Sequence, residues 1–436
     1  MLNYGVFLHI PGTVTIEEDE ESGLILINKD SALRYTLHIS GDNSDDFTVD
    51  SPISMEVNKS GSFEFSILPS HTYYSMLRRF IHYIEIKDLD DDEIIFYGRI
   101  NSITMGFSKE KKVTVEGGMS NLLDCPVYNP DVESSTLDTT EIYVMEGTPD
   151  ELFRKSIRAY RNLIRPDVTI GSVLSYASSF KIDKIDVSGG QTVGDFIMNE
   201  LVGGAGGYII PRYVKEEGGN ISTVLDWLPD PLTPGYSDTI SSQTIEFGVN
   251  LLDIDAEFSD DDVMTGIIPS WTDENNDKQW ATAVTTDVDT SQKNMLKPYI
   301  VGGTGTTGIG IQMIDLPELT DQSEALTAAQ KYAERYCNYN LSDLEFDSFK
   351  VKALDMHYFG ESSKPKFKIG DRIKLISEYH NLDMDYPCTA MTLDLDNPSN
   401  NDYTFSVYRP KASSNDKTLC RQLNIKESEK RKVHKK

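Results

Sequence analysis

The sequence predicts a mainly β protein with α+β insertions, and three observations carry that prediction. Residues 62–67 alternate Ser62, Glu64 and Ser66 with Phe63, Phe65 and Ile67, a period of two that turns one apolar face inward. Short β-branched and aromatic runs of the same kind recur from Gly23 to Tyr408. Helical spacing of apolar residues is confined to a few places, at 71–80, 149–160, 192–201 and 326–339.

In chain order, residues 1–57 read as a meander, with Gly23–Asn28 and Tyr35–Ile39 as strands. Glu17–Glu21 and Asp42–Asp46 read as solvated loops, because neither has the spaced carboxylates and distal Glu of a calcium loop. Pro69 closes the 62–67 strand, since proline brings no ladder donor. His71–Phe80 places Tyr73, Tyr74, Leu77 and Phe80 on one face and predicts a short helix. Ile81, Tyr83–Ile86 and Ile94–Tyr97 flank the acidic turn Asp88–Glu93 and predict a hairpin, with Gly98 and Arg99 ending the unit. Val113–Glu116 adds a strand, giving a first domain over 1–130, and the polar run Tyr128–Thr140 reads as a linker.

An α+β domain is expected over 141–235. Thr148 as N-cap, Pro149 at the first helical position and Glu151 at the third start a helix through Leu152, Ile157 and Tyr160. A second helix begins near Thr192, carries Val193, Phe196, Ile197 and Leu201, and ends at the glycines of 203–207. Tyr208–Tyr213 and Thr223–Trp227 then pair as a hairpin. Residues 244–410 form the next β domain, with strands at Phe349–Leu354, Arg372–Ser377, Thr389–Asp394 and Tyr403–Tyr408. It carries an inserted helix over 321–340, capped by Thr320 or Asp321, with Ala328, Tyr332, Ala333, Tyr336 and Cys337 on one face. The segment 411–436 holds nine Lys or Arg against three acids, a net +6 that leaves −35 for residues 1–410. It reads as a basic tail, either solvated or ordered on an acidic partner or on the chain's own trimer.

The order NKxGSFxFxILPxHxYYxxL over 58–77, the charged hairpin, and IFYGRI over 95–100 resemble the N-terminal region of phage tail or baseplate hub proteins. These are tail-associated minor structural proteins with the fold of the contractile-phage baseplate hub. SNLLDC at 120–125, GGY at 206–208, NLLDI at 250–254, and the closing segments FKIGDRIKLIS and YPCTAMTLDLDNPSNNDYTFSV resemble the same family. The resemblance spans about two-thirds of the chain. It implies two tube-like antiparallel β-barrel domains plus smaller α+β domains, assembled as a homotrimer. Two barrels in each of three chains imply a pseudo-hexameric ring, a symmetry adaptor between the tail tube and a central spike or tail tip. The implied partners are the tail tube or a distal tail protein, the spike or tip protein, and a tape measure protein. The implied location is the tail or baseplate of a virion or phage-tail-like particle made in the bacterial host cytoplasm.

Bulk properties fit that expectation. The 436 residues suffice for two to four domains, and no apolar run approaches the roughly 18 residues of a membrane span. MLNYGVFLHIPG lacks the basic start and small-residue cleavage site of a secretory signal. Cys125, Cys337, Cys388 and Cys420 lie far apart and read as free thiols. The net charge of −29 gives solubility and self-repulsion. On the family reading, it also suits a lumen through which DNA passes without specific binding.

The sequence offers little chemistry, and no catalytic, cofactor-binding or metal-binding residue is assigned. Gly303, Gly305 and Gly308 match G-x-G-x-x-G, but IGIQMIDLP follows, which is strand- or loop-like where a dinucleotide site needs a helix start. There is no P-loop, no G-x-S-x-G and no H-E-x-x-H among His9, His38, His71, His82, His357, His380 and His434. His71 reads as a capping or packing residue, and the 70 acids have no diagnostic value for glycoside hydrolysis. A structural role is therefore favoured over two alternatives. One is a tail-associated cell-wall hydrolase or peptidase, which the roughly 25 residues after the second barrel leave no room for. The other is a host-surface glycan-binding module, supported only by the 22 tyrosines.

Overall fold

The computed structural model describes residues 2–12, 14–18, 25–42, 45–132, 141–163, 167–173, 175, 182–202, 207–228, 241–257, 264–272, 277–280, 310–315, 348–359, 363–380 and 382–406. The first part of the chain contributes β1 (Tyr4–Ile10), β2 (Val14–Glu18), β3 (Ile25–Lys29), β4 (Leu33–Ile39), β5 (Phe47–Glu56), β6 (Ser62–Ile67), β7 (Tyr83–Asp88), β8 (Ile94–Met105) and β9 (Lys111–Gly117). The middle contributes β10 (Val144–Gly147), α1 (Pro149–Leu163), β11 (Val168–Val173), β12 (Ile182–Asp186), α2 (Val193–Asp195), β13 (Tyr208–Lys215) and β14 (Ile221–Leu228). The last part contributes β15 (Ile245–Glu246), β16 (Leu251–Glu257), β17 (Met264–Thr272), β18 (Lys278–Trp280), β19 (Gly310–Asp315), β20 (Ser348–Ala353), β21 (Arg372–Ser377), β22 (Leu382–Leu393) and β23 (Asp402–Ser406).

The protein is mainly β, as the alternating patterns predict. Thirteen strands form one curled sheet in the order β16-β20-β23-β22-β5-β6-β9-β8-β7-β1-β4, with β21 beside β22 and β15 beside β21. Its ladders are antiparallel except for the parallel pair β15–β21. The first and last parts of the chain meet at β5–β22, where Ile53 faces Leu393 and Met55 faces Met391. One apolar core runs beneath both, from Phe63, Phe65 and Ile86 to Val351, Ile373 and Phe405. Alternation decides which side of each strand joins it: Phe63, Phe65 and Ile67 are fully buried, and buried Ser66 is satisfied by Asp50 at 2.6 Å.

The middle segment builds a separate α+β core of Leu152, Phe153, Ile157, Phe196, Leu201 and Trp227. Here α1 starts as expected: the Thr148 amide donates to Glu151 Oε2 at 2.9 Å, and the hydroxyl to Asp150 Oδ1 at 2.6 Å. Thr192 also caps its helix, accepting from the Asp195 amide at 3.1 Å, and α2 passes at once into a π-helical run, Phe196–Val202. β13 and β14 pair as predicted, and β11 joins β14 in parallel.

Three expectations need correction. The helix expected over His71–Phe80 is only a 3-10 turn, Tyr74–Met76. The His71 ring is bonded to Leu37 O at 2.9 Å and to the Tyr73 amide at 3.1 Å, which confirms its packing role and diverts the chain. Phe80 then takes φ 63° and donates its amide to Ile100 O in the sheet, a conformation no α-helix tolerates. Second, the unit does not end at Arg99: β8 continues to Met105, because Ile100 and Ile103 pack on the core. Third, Glu17 and Glu18 belong to β2, which pairs with β3, and not to a loop. The helix expected over 321–340, Gly303 to Gly308 and the basic segment 411–436 lie outside the described residues.

Candidate functional site

The sequence assigned no chemical site, and the described residues bring together no group of three or more His, Cys, Asp or Glu able to hold a metal ion. Burial pushes the Cys125 thiol up to about 11 and raises that of Cys388 as well, so neither is a ready nucleophile at neutral pH. Ser377 Oγ lies 2.6 Å from His380 Nδ1, but Ser377 is buried and the pair closes a tight turn. His9 lies between Tyr97 Oη at 2.9 Å and Gly219 O at 3.1 Å, a structural bridge.

What the fold does concentrate is charge at the join between its two parts. The acidic turn 88–93 of the β7–β8 hairpin reaches the segment 364–368 that leads into β21. Lys366, 8% exposed, bonds Asp88 at 2.7 Å, Asp91 at 2.6 Å and Glu93 at 3.2 Å. Lys368 bonds Glu93 at 2.6 Å, and His357 Nε2 lies 3.0 Å from Asp91. The Lys366 hydrogen bond holds the Asp91 carboxyl below the usual carboxylate range. Burial opposes the charged form of Glu93, but Lys368 and Lys366 overcome it and hold that carboxyl low too. Burial likewise opposes the Lys366 charge, while Asp88 and Asp91 raise its pKa. A buried cation bonded to three carboxylates fixes a junction, because separating the partners leaves charge unpaired in a poorly solvated place.

The α+β lobe is fixed to the same sheet. Asn58, at φ 65° in the β5–β6 turn, donates its amide to Ile209 O at 2.9 Å and accepts the Ile209 amide on its side chain at 2.8 Å. Tyr83 and Tyr97 stack at 4.9 Å, Tyr213 packs edge-on against Tyr97, and Asn121 bonds the Tyr83 hydroxyl at 3.0 Å. Gly117 lies so close to the β5–β6 turn that a Cβ there would sit 1.7 Å from Ser60 O. Arg99 bonds Asp124 across the same seam.

Most of this was invisible in the sequence. The acidic turn 88–93 was legible as a turn, but Lys366 is 278 residues from Asp88 and no local signal joins them. The β5–β6 turn was legible only as family-like residues.

No family model and no curated protein matches this chain. Solved structures do. The 43 kDa tail protein of prophage MuSo2 from Shewanella oneidensis is 12% identical, with 94% of this chain and 97% of that chain covered at a TM-score of 0.51. The tail protein from Neisseria meningitidis MC58 is 14% identical, with 94% and 99% covered at 0.48. The prophage tail protein gp18 from Listeria monocytogenes EGD-e is 12% identical, with 99% and 100% covered at 0.46. On the first of these, the chain has the fold of a phage tail protein over nearly its whole length, in line with the resemblance of residues 58–101.

Proposed function

We propose that this chain is a structural protein of a phage tail or phage-tail-like particle, a baseplate or tail hub that works as a homotrimer. The observation that carries the reading is the single curled sheet that runs through both parts of the chain and, among the described residues, has β16 and β4 at the ends of its path and β15 at the edge of a side branch. A curled sheet with open ends is an unfinished barrel, and strands from other copies are the natural way to finish it. The rigid Lys366 junction and the clamped lobe suit a part that carries load. On this reading three chains, each with two barrel units, form a pseudo-hexameric ring joining a six-fold tail tube to a three-fold spike or tip. Function lies in symmetry matching and extended interfaces. The net charge of −29 supports an acidic lumen that lets DNA pass without binding it.

The test is the solution mass of the purified chain by light scattering, alone and with neighbouring tail-tube and spike proteins. The reading expects a mass of three chains, alone or on adding those proteins. A single-chain mass under every condition contradicts it.

A further inference from the structure

Two exposed faces are complementary in a way that neither the core nor the Lys366 junction uses. The first surrounds the tip of the β8–β9 hairpin. Phe107 is fully exposed there and Met105 is 63% exposed, on a tip braced by Tyr74, whose hydroxyl bonds Lys109 O. Lys111 Nζ sits 4.0 Å from the centroid of the Tyr74 ring and donates to Tyr74 O at 2.6 Å. The tip is therefore a built projection. Lys109 on the tip and Arg78 and Arg79, which follow the Tyr74–Met76 turn, are exposed and have no ion-pair partner among the described residues. Partial burial and the nearby Arg78 charge both lower the Lys111 pKa. In a chain of net charge −29, such a cationic and apolar spot is unusual.

The second face lies where the β15–β16 loop meets the β21–β22 turn. Phe247 stacks on Tyr379 at 5.8 Å, and Tyr379 is 80% exposed. Val249 and Leu252 extend the apolar surface. Glu246 and Glu378 flank the stack, both exposed and both without an ion-pair partner among the described residues. Large aromatic side chains held in an exposed stack, with unpaired carboxylates at the rim, have the make-up of an interface and not of ordinary surface.

We propose that these two faces bind each other between copies of this chain, the hairpin tip of one copy seating on the Phe247–Tyr379 face of the next. The occupant is a second copy because one chain carries both halves of a match in charge and apolarity. The two faces lie on different strands of the sheet, the first on β8 and β9 and the second on the β15–β16 loop and the β21–β22 turn. A contact between unlike faces repeats head to tail, and closes into a ring when its rotation allows. The proposal rests on the ring reading above and names a further surface through which its copies meet. Opposite charges at the rim would steer the approach, and the apolar centre would hold it.

The test places the photo-crosslinking residue p-benzoylphenylalanine at position 107 of the full chain and maps inter-chain crosslinks by mass spectrometry. The expected products join position 107 of one chain to residues 246–252 or 378–380 of another. In parallel, Arg79→Glu should weaken self-association roughly tenfold or more, and combining it with Glu378→Lys should restore much of the loss. Both side chains are exposed, so each variant should keep the wild-type circular dichroism and melting curve. Inter-chain crosslinks that fall only elsewhere, with Arg79→Glu assembling as well as wild type, overturn these faces while leaving the ring reading intact. A wild-type chain that stays single at every concentration, with and without tail proteins, overturns both.

Discussion

The Lys366 cluster and the β8–β9 hairpin tip are both rich in charge, yet they treat charge in opposite ways. At the cluster every cation has a carboxylate: Lys366 has three and Lys368 one. On the tip and in the segment after the Tyr74 turn, Lys109, Arg78 and Arg79 face solvent with none among the described residues. Charges satisfied within the chain belong to the fold. Charges left unsatisfied beside an exposed Phe107 and Met105 belong to an interaction outside it. If that distinction holds, substitutions at the first site change stability and leave assembly geometry alone, while those at the second do the reverse.

The largest effect is expected from Lys366→Met. Removing the cation strands Asp88, 2% exposed, against its neighbours, and breaking a buried pair this way costs about 3–5 kcal/mol. Urea denaturation at pH 7 measures it. A loss within the error of an exposed substitution would mean that the cluster does not hold the junction.

The same pair of proteins gives a pH signature. Asp91 and Glu93 have lowered pKa values in the folded protein, so their contribution is present above the ordinary carboxylate value of about 4 and is lost as pH falls through the folded values. Lys366 is raised, so its contribution is lost only as pH rises through a value above the ordinary lysine one. The stability gap between wild type and Lys366→Met should therefore be widest near neutrality and narrow toward pH 3. Denaturation curves at stepped pH read it, and a constant gap would separate the cluster from the acid response.

Smaller effects sharpen the contrast. Thr192→Ala removes the hydroxyl that caps α2 by accepting the Asp195 amide and should cost about 1 kcal/mol, measured as a shift of the urea midpoint at unchanged slope. At the tip, Phe107→Ser should change unfolding free energy by no more than about 0.5 kcal/mol while lowering the assembled fraction seen by sedimentation. A large stability loss there would show that Phe107 serves the fold after all.

Local patterns in the sequence carried the strands well. The period-two run at 62–67, the hairpin around 88–93, the capping box at Thr148 and the Tyr208–Trp227 hairpin were legible because each is decided by residues close in sequence. The failures share a cause. His71–Phe80 has helical spacing, but a ring bond to Leu37 and a sheet bond from Phe80 to Ile100 outweigh it. β8 runs past Gly98 and Arg99 because Ile100 and Ile103 have a core to enter, which no local signal reveals. The β5–β22 ladder that makes one sheet of both parts and the Lys366 cluster both depend on contacts more than two hundred residues apart. Periodicity gives the faces of elements, and only the tertiary fold says which faces meet.

We propose that copies of this chain close into a ring of three. Class averages of negatively stained particles, taken from the chain assembled with its tail-tube partner, test it most directly. Rings around an open channel, with three copies and six similar lobes, are the expected result. Two-fold closed pairs, or particles of one chain bound singly to the tube, would contradict it.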